Sequence, residues 1–73
     1  MIEVRLFAGL RQGRDKVTTM DSGDVRCVAD IIERLDIPLS EVNIMLINGF
    51  HQKPDTPVQD GDVVSLFPAV GGG

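Results

Sequence analysis

The segment Phe67-Pro68-Ala69-Val70-Gly71-Gly72-Gly73 ends the chain and holds the residues with the clearest chemical use. Three consecutive glycines cannot fill a core or hold a helix, because glycine loses the most backbone freedom on ordering and brings no side chain to offset it. Their use must lie outside the folded core. A bare, extended strip can thread a narrow enzyme channel and present its own α-carboxylate to a reactive phosphate or sulfur. At about 3.3–3.6 Å per extended residue, the stretch from Pro68 to Gly73 reaches roughly 20 Å. A terminal carboxyl with an ordinary pKa of about 3.3–3.7 is an anion at neutral pH, and a poor electrophile until it is activated. Gly73 is thus the expected reactive terminus, with Gly71 and Gly72 as the strip that carries it. The alternative is a trailing end with no role.

The other chemistry-bearing residues give weaker signals. Cys27 is the single cysteine, so no internal disulfide forms, and no His accompanies it as a base. A small capping or buried residue is the simpler reading. His51, the one histidine, is expected as a solvated side chain of a short strand. Asp55, Asp60 and Asp62 lack the spacing and the distal Glu of a calcium loop, which leaves turn chemistry, and no Cys or His pair has metal-ligand spacing. No metal or stably bound cofactor is expected. Among 73 residues, seven Lys and Arg against eleven Asp and Glu give a net charge of −4. The few cations form no run, which argues against nucleic acid and favours a protein partner with a basic face. The longest apolar stretch, Ile44 to Ile47, is far too short to span a bilayer, and no basic region followed by an apolar signal segment opens the chain. A cytoplasmic protein is expected.

The elements that must position the tail follow from periodicity. Ile2, Val4 and Leu6 alternate with Glu3, Arg5 and Phe7, the period of a strand with one buried face. Gly9 and Gly13 bracket a turn, and Lys16 to Met20 reads as a second strand, antiparallel to the first. Val28, Ile31, Ile32 and Leu35 recur at helical spacing, with Arg26, Asp30, Glu33 and Arg34 opposite. Either Asp24 caps this helix, or Cys27 does so with Asp30 three residues on; Pro38 is expected to end it. Leu39 and Val42 then fold back onto the core. Ile44 to Ile47 is a continuous apolar strand, and Asn48-Gly49 is a strong hairpin signal leading to a short strand at Phe50 to Gln52. Val63 to Phe67 is the last strand, closed by Pro68. A right-handed crossover through the helix puts this strand beside the first and parallel to it. The expected fold is α+β, a β-grasp with a mixed sheet of four to five strands and one main helix on one face. Residues 1–68 form its single domain, residues 69–73 the tail. A domain of this size buries only about 60% of its unfolded surface, so modest stability is expected.

These features resemble a known family. Phe7-Ala8-Gly9-Leu10-Arg11 after the opening strand, Ile47-Asn48-Gly49, Asp60-Gly61-Asp62-Val63-Val64, and the Phe67-Pro68 step to a terminal Gly-Gly follow the order and spacing of the ubiquitin-like sulfur carriers. The chain is most similar to the MoaD-type small subunits of molybdopterin synthase, with the ThiS carriers as relatives. Three positions depart from the usual pattern: Ala69 stands for a second Pro, Gly71 for a small residue such as Ala or Ser, and Cys27 for Ser or Thr at the helix start. The resemblance implies a carrier that is not itself an enzyme. An E1-like adenylyltransferase of the MoeB/ThiF type would bind it with Mg-ATP and adenylate Gly73, and a persulfide donor would convert that terminus to a thiocarboxylate. The molybdopterin synthase large subunit, or another sulfur acceptor, would receive the sulfur. Thiamine- and cysteine-pathway carriers share the fold and tail, and a ubiquitin-like modifier that forms isopeptide bonds would use the same activated end.

Strand parity suggests where partners dock. If Ile2, Val4, Leu6, Val64 and Leu66 face the helix, Phe7 and Phe67 lie together on the opposite face near the tail's exit. With Pro68 and Val70 they form a candidate interface anchor. The alternative has both rings folded against loop residues such as Leu10.

Overall fold

The computed structural model describes residues 1–69. Val70, Gly71, Gly72 and Gly73, and with them the expected threading tail and reactive terminus, lie outside the described residues.

Strand β1 (Ile2–Leu6) pairs antiparallel with β2 (Val17–Met20), and on its other side runs parallel to β5 (Val63–Pro68). Strand β3 (Val42–Ile47) pairs antiparallel with both β5 and β4 (Phe50–His51). The sheet order β2-β1-β5-β3-β4 places the tail-bearing strand at the centre. Helix α1 (Val28–Arg34) covers one face. This is the β-grasp, or ubiquitin-like, fold. Registers Val4↔Val64 and Leu6↔Leu66 align the core-facing residues of β1 and β5, all essentially without solvent contact, beneath Val28, Ile31 and Ile32 of the helix. The core is almost entirely Ile, Leu and Val.

Both ends of α1 are built from unusual residues. Cys27 is the N-cap, in extended conformation, but its side chain makes no capping hydrogen bond. The first helical amides are satisfied elsewhere: Val28 N–H donates to the Thr56 carbonyl at 3.2 Å, and Ala29 N–H to the Pro54 carbonyl at 2.8 Å. The loop from Lys53 to Pro57 thus replaces the missing cap. Asp30 reaches back one residue past the cap, its carboxylate accepting the Arg26 N–H at 2.9 Å, so the expected Cys27–Asp30 capping box does not form. That hydrogen bond is the main reason the Asp30 carboxyl is held below the usual carboxylate range. Asp24 does not cap the helix.

Pro38 does not end it either. The chain leaves the helix at Asp36, which sits in the left-handed region with φ 58°. Asp36 N–H donates to the Glu33 carbonyl at 2.9 Å and Ile37 N–H to the Ile32 carbonyl at 3.2 Å, the paired bonds of a Schellman motif. Ile32 and Ile37 are both buried, the apolar contact that usually accompanies this closure. Proline lies two residues too late to be the cause. Val42 folds back into the core as expected, but Leu39, in the 3₁₀ turn Leu39–Glu41, remains half exposed. Strand β5 runs one residue further than expected, because Pro68 still pairs opposite Val42.

Candidate docking face and tail exit

Parallel pairing of β1 with β5 brings the ends of both strands to the same pole of the sheet. Phe7 continues the ladder beyond β1, its N–H donating to the Leu66 carbonyl at 3.2 Å. Ala8 then takes a left-handed conformation, φ 52°, and turns the chain into the 3₁₀ segment Ala8–Arg11. Strand parity puts Phe7 and Phe67, each one residue beyond the core-facing Leu6 and Leu66, on the sheet face away from the helix, their rings stacked at 4.3 Å between centroids and 8° between planes. The Arg11 guanidinium lies 5.4 Å from the Phe7 ring centroid, and its Nε donates to the Leu6 carbonyl at 2.7 Å. A fixed cation, two aromatic faces and Pro68 therefore converge where the tail leaves the sheet.

The sequence reading of Phe7 and Phe67 as neighbours on the outer face holds, although mutual stacking leaves each ring half buried. Leu10, the alternative packing partner, belongs to the main core. Two residues of the face were missed. Ile44 lies opposite Phe67, and Leu46 opposite Ser65; both are half buried on the outer side, while Met45 and Ile47 fill the core. An unbroken apolar run such as Ile44 to Ile47 reads as a strand buried on both faces. Here one face is covered by α1 and the other by nothing described. The run itself was the available signal that this outer face is apolar.

The remaining candidates take structural places. His51 is exposed in β4, opposite Leu46. Cys27 is half buried at the helix start. Asp60 pairs with the amino terminus of Met1, whose ammonium holds the Asp60 carboxyl below its ordinary range through that hydrogen bond and its charge. Asp62 accepts from Gln59 N–H at 2.8 Å and from Asn48 Nδ2 at 3.0 Å. Among the described residues no group of three or more His, Cys, Asp or Glu could hold a metal, and no helix is long and apolar enough to cross a membrane.

The model of the ThiS family matches residues 4–73. The chain belongs to the ThiS family. The match takes in both halves of the pole, Phe7 to Arg11 and Phe67 to Pro68, and continues to Gly73, so the resemblance to ubiquitin-like sulfur carriers is borne out. Solved structures agree with this ThiS-family assignment. Small archaeal modifier protein 1 from Haloferax volcanii shares 26% identity at a TM-score of 0.75, covering 99% of this chain and 98% of that one. A putative molybdopterin converting factor subunit 1 from Pyrococcus furiosus shares 29% identity at a TM-score of 0.64, over 94% and 97% of the two chains. A chain in the complex of subunits 1 and 2 of the molybdopterin-converting factor from Helicobacter pylori is 24% identical at a TM-score of 0.66, over 99% and 97%, a likeness of fold. No curated protein matches the chain.

Proposed function

We propose that this ThiS-family chain is a sulfur carrier, with the sulfur borne as a thiocarboxylate on Gly73. The observation that carries the reading is the family match running through Gly73 on a fold whose central strand launches the tail. In the first step a Gly73 carboxylate oxygen attacks the α-phosphorus of ATP, forming an acyl-adenylate and releasing pyrophosphate. Two anions must approach each other, so the E1-like activating enzyme has to supply Arg, Lys and Mg²⁺. The carrier brings a docking face and a reachable end. In the second step the terminal sulfur of a persulfide attacks the acyl carbon and expels AMP. A thiol then cleaves the resulting acyl disulfide, leaving the thiocarboxylate on Gly73 and the other sulfur in a disulfide with that thiol. The chain is a co-substrate in these steps and not the catalyst. Residues 69–73 act as the threading tail, and the ATP that the proposed activator requires supports a cytoplasmic cycle.

The Phe7–Phe67 stack, Ile44, Leu46 and Pro68 form the face on which we place the activating enzyme and the acceptor, and we assign Val70 to the same docking role from its place in the sequence. For the acceptor we favour the large subunit of molybdopterin synthase. The neighbour named as a putative molybdopterin converting factor subunit 1, at 29% identity, supports this. One observation favours a second reading: at 26% identity and a TM-score of 0.75, the Haloferax neighbour is named as a small modifier protein. A modifier would join its activated Gly73 to a target lysine.

Intact-mass measurement separates the two after incubation with the cognate activating enzyme, Mg-ATP and a persulfide donor. Replacement of one oxygen by sulfur on the free chain is the expected result. Covalent adducts to larger proteins, with no thiocarboxylate, would establish the modifier instead.

A further inference from the structure

The Asn48-Gly49 turn holds chemistry that the carrier cycle does not use. An Asn followed by Gly is poised to cyclise, because the glycine nitrogen meets no neighbouring side chain as it approaches the amide carbon. Gly49 stands in open space with φ 87°, and Asn48 is exposed at φ 52°, as a two-residue hairpin of this kind requires. Yet the Asn48 amide is held at both ends. Its Nδ2 donates to Asp62 Oδ1 at 3.0 Å, and its Oδ1 accepts the Val63 N–H at 2.9 Å. The Asn48 N–H also donates to the Val63 carbonyl at 2.8 Å, so side chain and backbone clip the β3–β4 turn to the start of β5.

We infer that Asn48 is a latent deamidation site, kept unreactive by this clip and released when the start of β5 detaches from the turn. In the reaction the Gly49 nitrogen loses its proton and bonds to Asn48 Cγ, and the Cγ–Nδ2 bond breaks to expel ammonia. Water opens the succinimide at either carbonyl, leaving aspartate or isoaspartate; no oxidant or reductant is needed. Either product damages the clip. A carboxylate at residue 48 loses the donor to Asp62 and faces a like charge at hydrogen-bond distance, and isoaspartate also adds a methylene to a turn that has room for two residues. The modification thus loosens the root of the tail-bearing strand.

The test is deamidation at mildly alkaline pH, read by intact mass and by peptide mapping of residue 48. Three proteins are compared: the native chain, Asp62→Ala and Asp62→Asn. The chain in urea sets the unprotected rate. Loss of the Asp62 acceptor should speed the native-state reaction about tenfold, the population change equivalent to one charge-assisted hydrogen bond. Asp62→Asn keeps one acceptor oxygen but loses the charge and the second acceptor, and should fall between the native and Asp62→Ala rates. If the native chain deamidates as fast as in urea, or Asp62→Ala reacts no faster than native, the inference is overturned. Should Asp62→Ala fail to fold, the comparison of native chain with urea still decides it.

Discussion

If the proposed cycle divides recognition and reaction between the aromatic face and the glycine tail, substitutions in the two should separate kinetically. Gly72 would meet the walls of the activating enzyme's channel, so Gly72→Ala is expected to abolish most thiocarboxylate formation while leaving the urea midpoint unchanged. Its loss should appear in kcat, and wild-type turnover by this variant would remove the threading argument. Phe67 lies in the outer-face aromatic stack, the proposed docking face. Phe67→Ala should therefore raise KM about tenfold with kcat retained, the scale for losing one interface anchor. It should also lower stability by about 1 kcal/mol through loss of the ring stack. A fall in kcat at constant KM would mean the ring positions the terminus instead.

At the scale of elements, helix α1 shows how much of the molecule could be read in advance. The 3.6-residue spacing of Val28, Ile31 and Ile32 gave its buried face directly, and strand parity placed Phe7 beside Phe67. Its ends were less legible, since they depend on residues distant in sequence. Cys27 can serve as N-cap because the Thr56 and Pro54 carbonyls take the first amides, a contact only the folded loop creates. Asp36 ends the helix in a conformation glycine prefers, and no local signal outweighed the nearby proline. Asp36→Gly should relieve this left-handed strain, partly offset by the greater freedom of glycine in the unfolded chain. A gain of about 0.5 kcal/mol is expected, seen as a higher urea midpoint at constant m. At the other end, the Arg26 N–H binds the charged form of Asp30 and lowers its pKa in the folded state. Its contribution is fully present above the ordinary carboxylate range, and is lost as pH falls through the lowered folded value. Asp30→Asn should be less stable than wild type at neutral pH, with the two curves converging toward that acid limit. Parallel curves throughout would show that the charge contributes nothing.

For the whole molecule, a single small core sets the limit. At roughly 0.05–0.15 kcal/mol per residue, a chain of this length holds on the order of 4–11 kcal/mol. Ile31 has no exposure at the centre of the core. Ile31→Ala should cost about 2–5 kcal/mol and remove a large share of that margin, whereas Ile31→Val should cost about 1 kcal/mol. Chemical denaturation of both variants checks the ratio. The central place of β5 also has a mechanical consequence. A machine that grips the tail pulls along the axis of a strand hydrogen-bonded on both sides, to β1 and to β3. The load falls on both ladders in shear, so their bonds must yield together and cannot peel one at a time. Pulled from its C-terminal end, β5 is thus expected to resist unravelling by shear of both ladders.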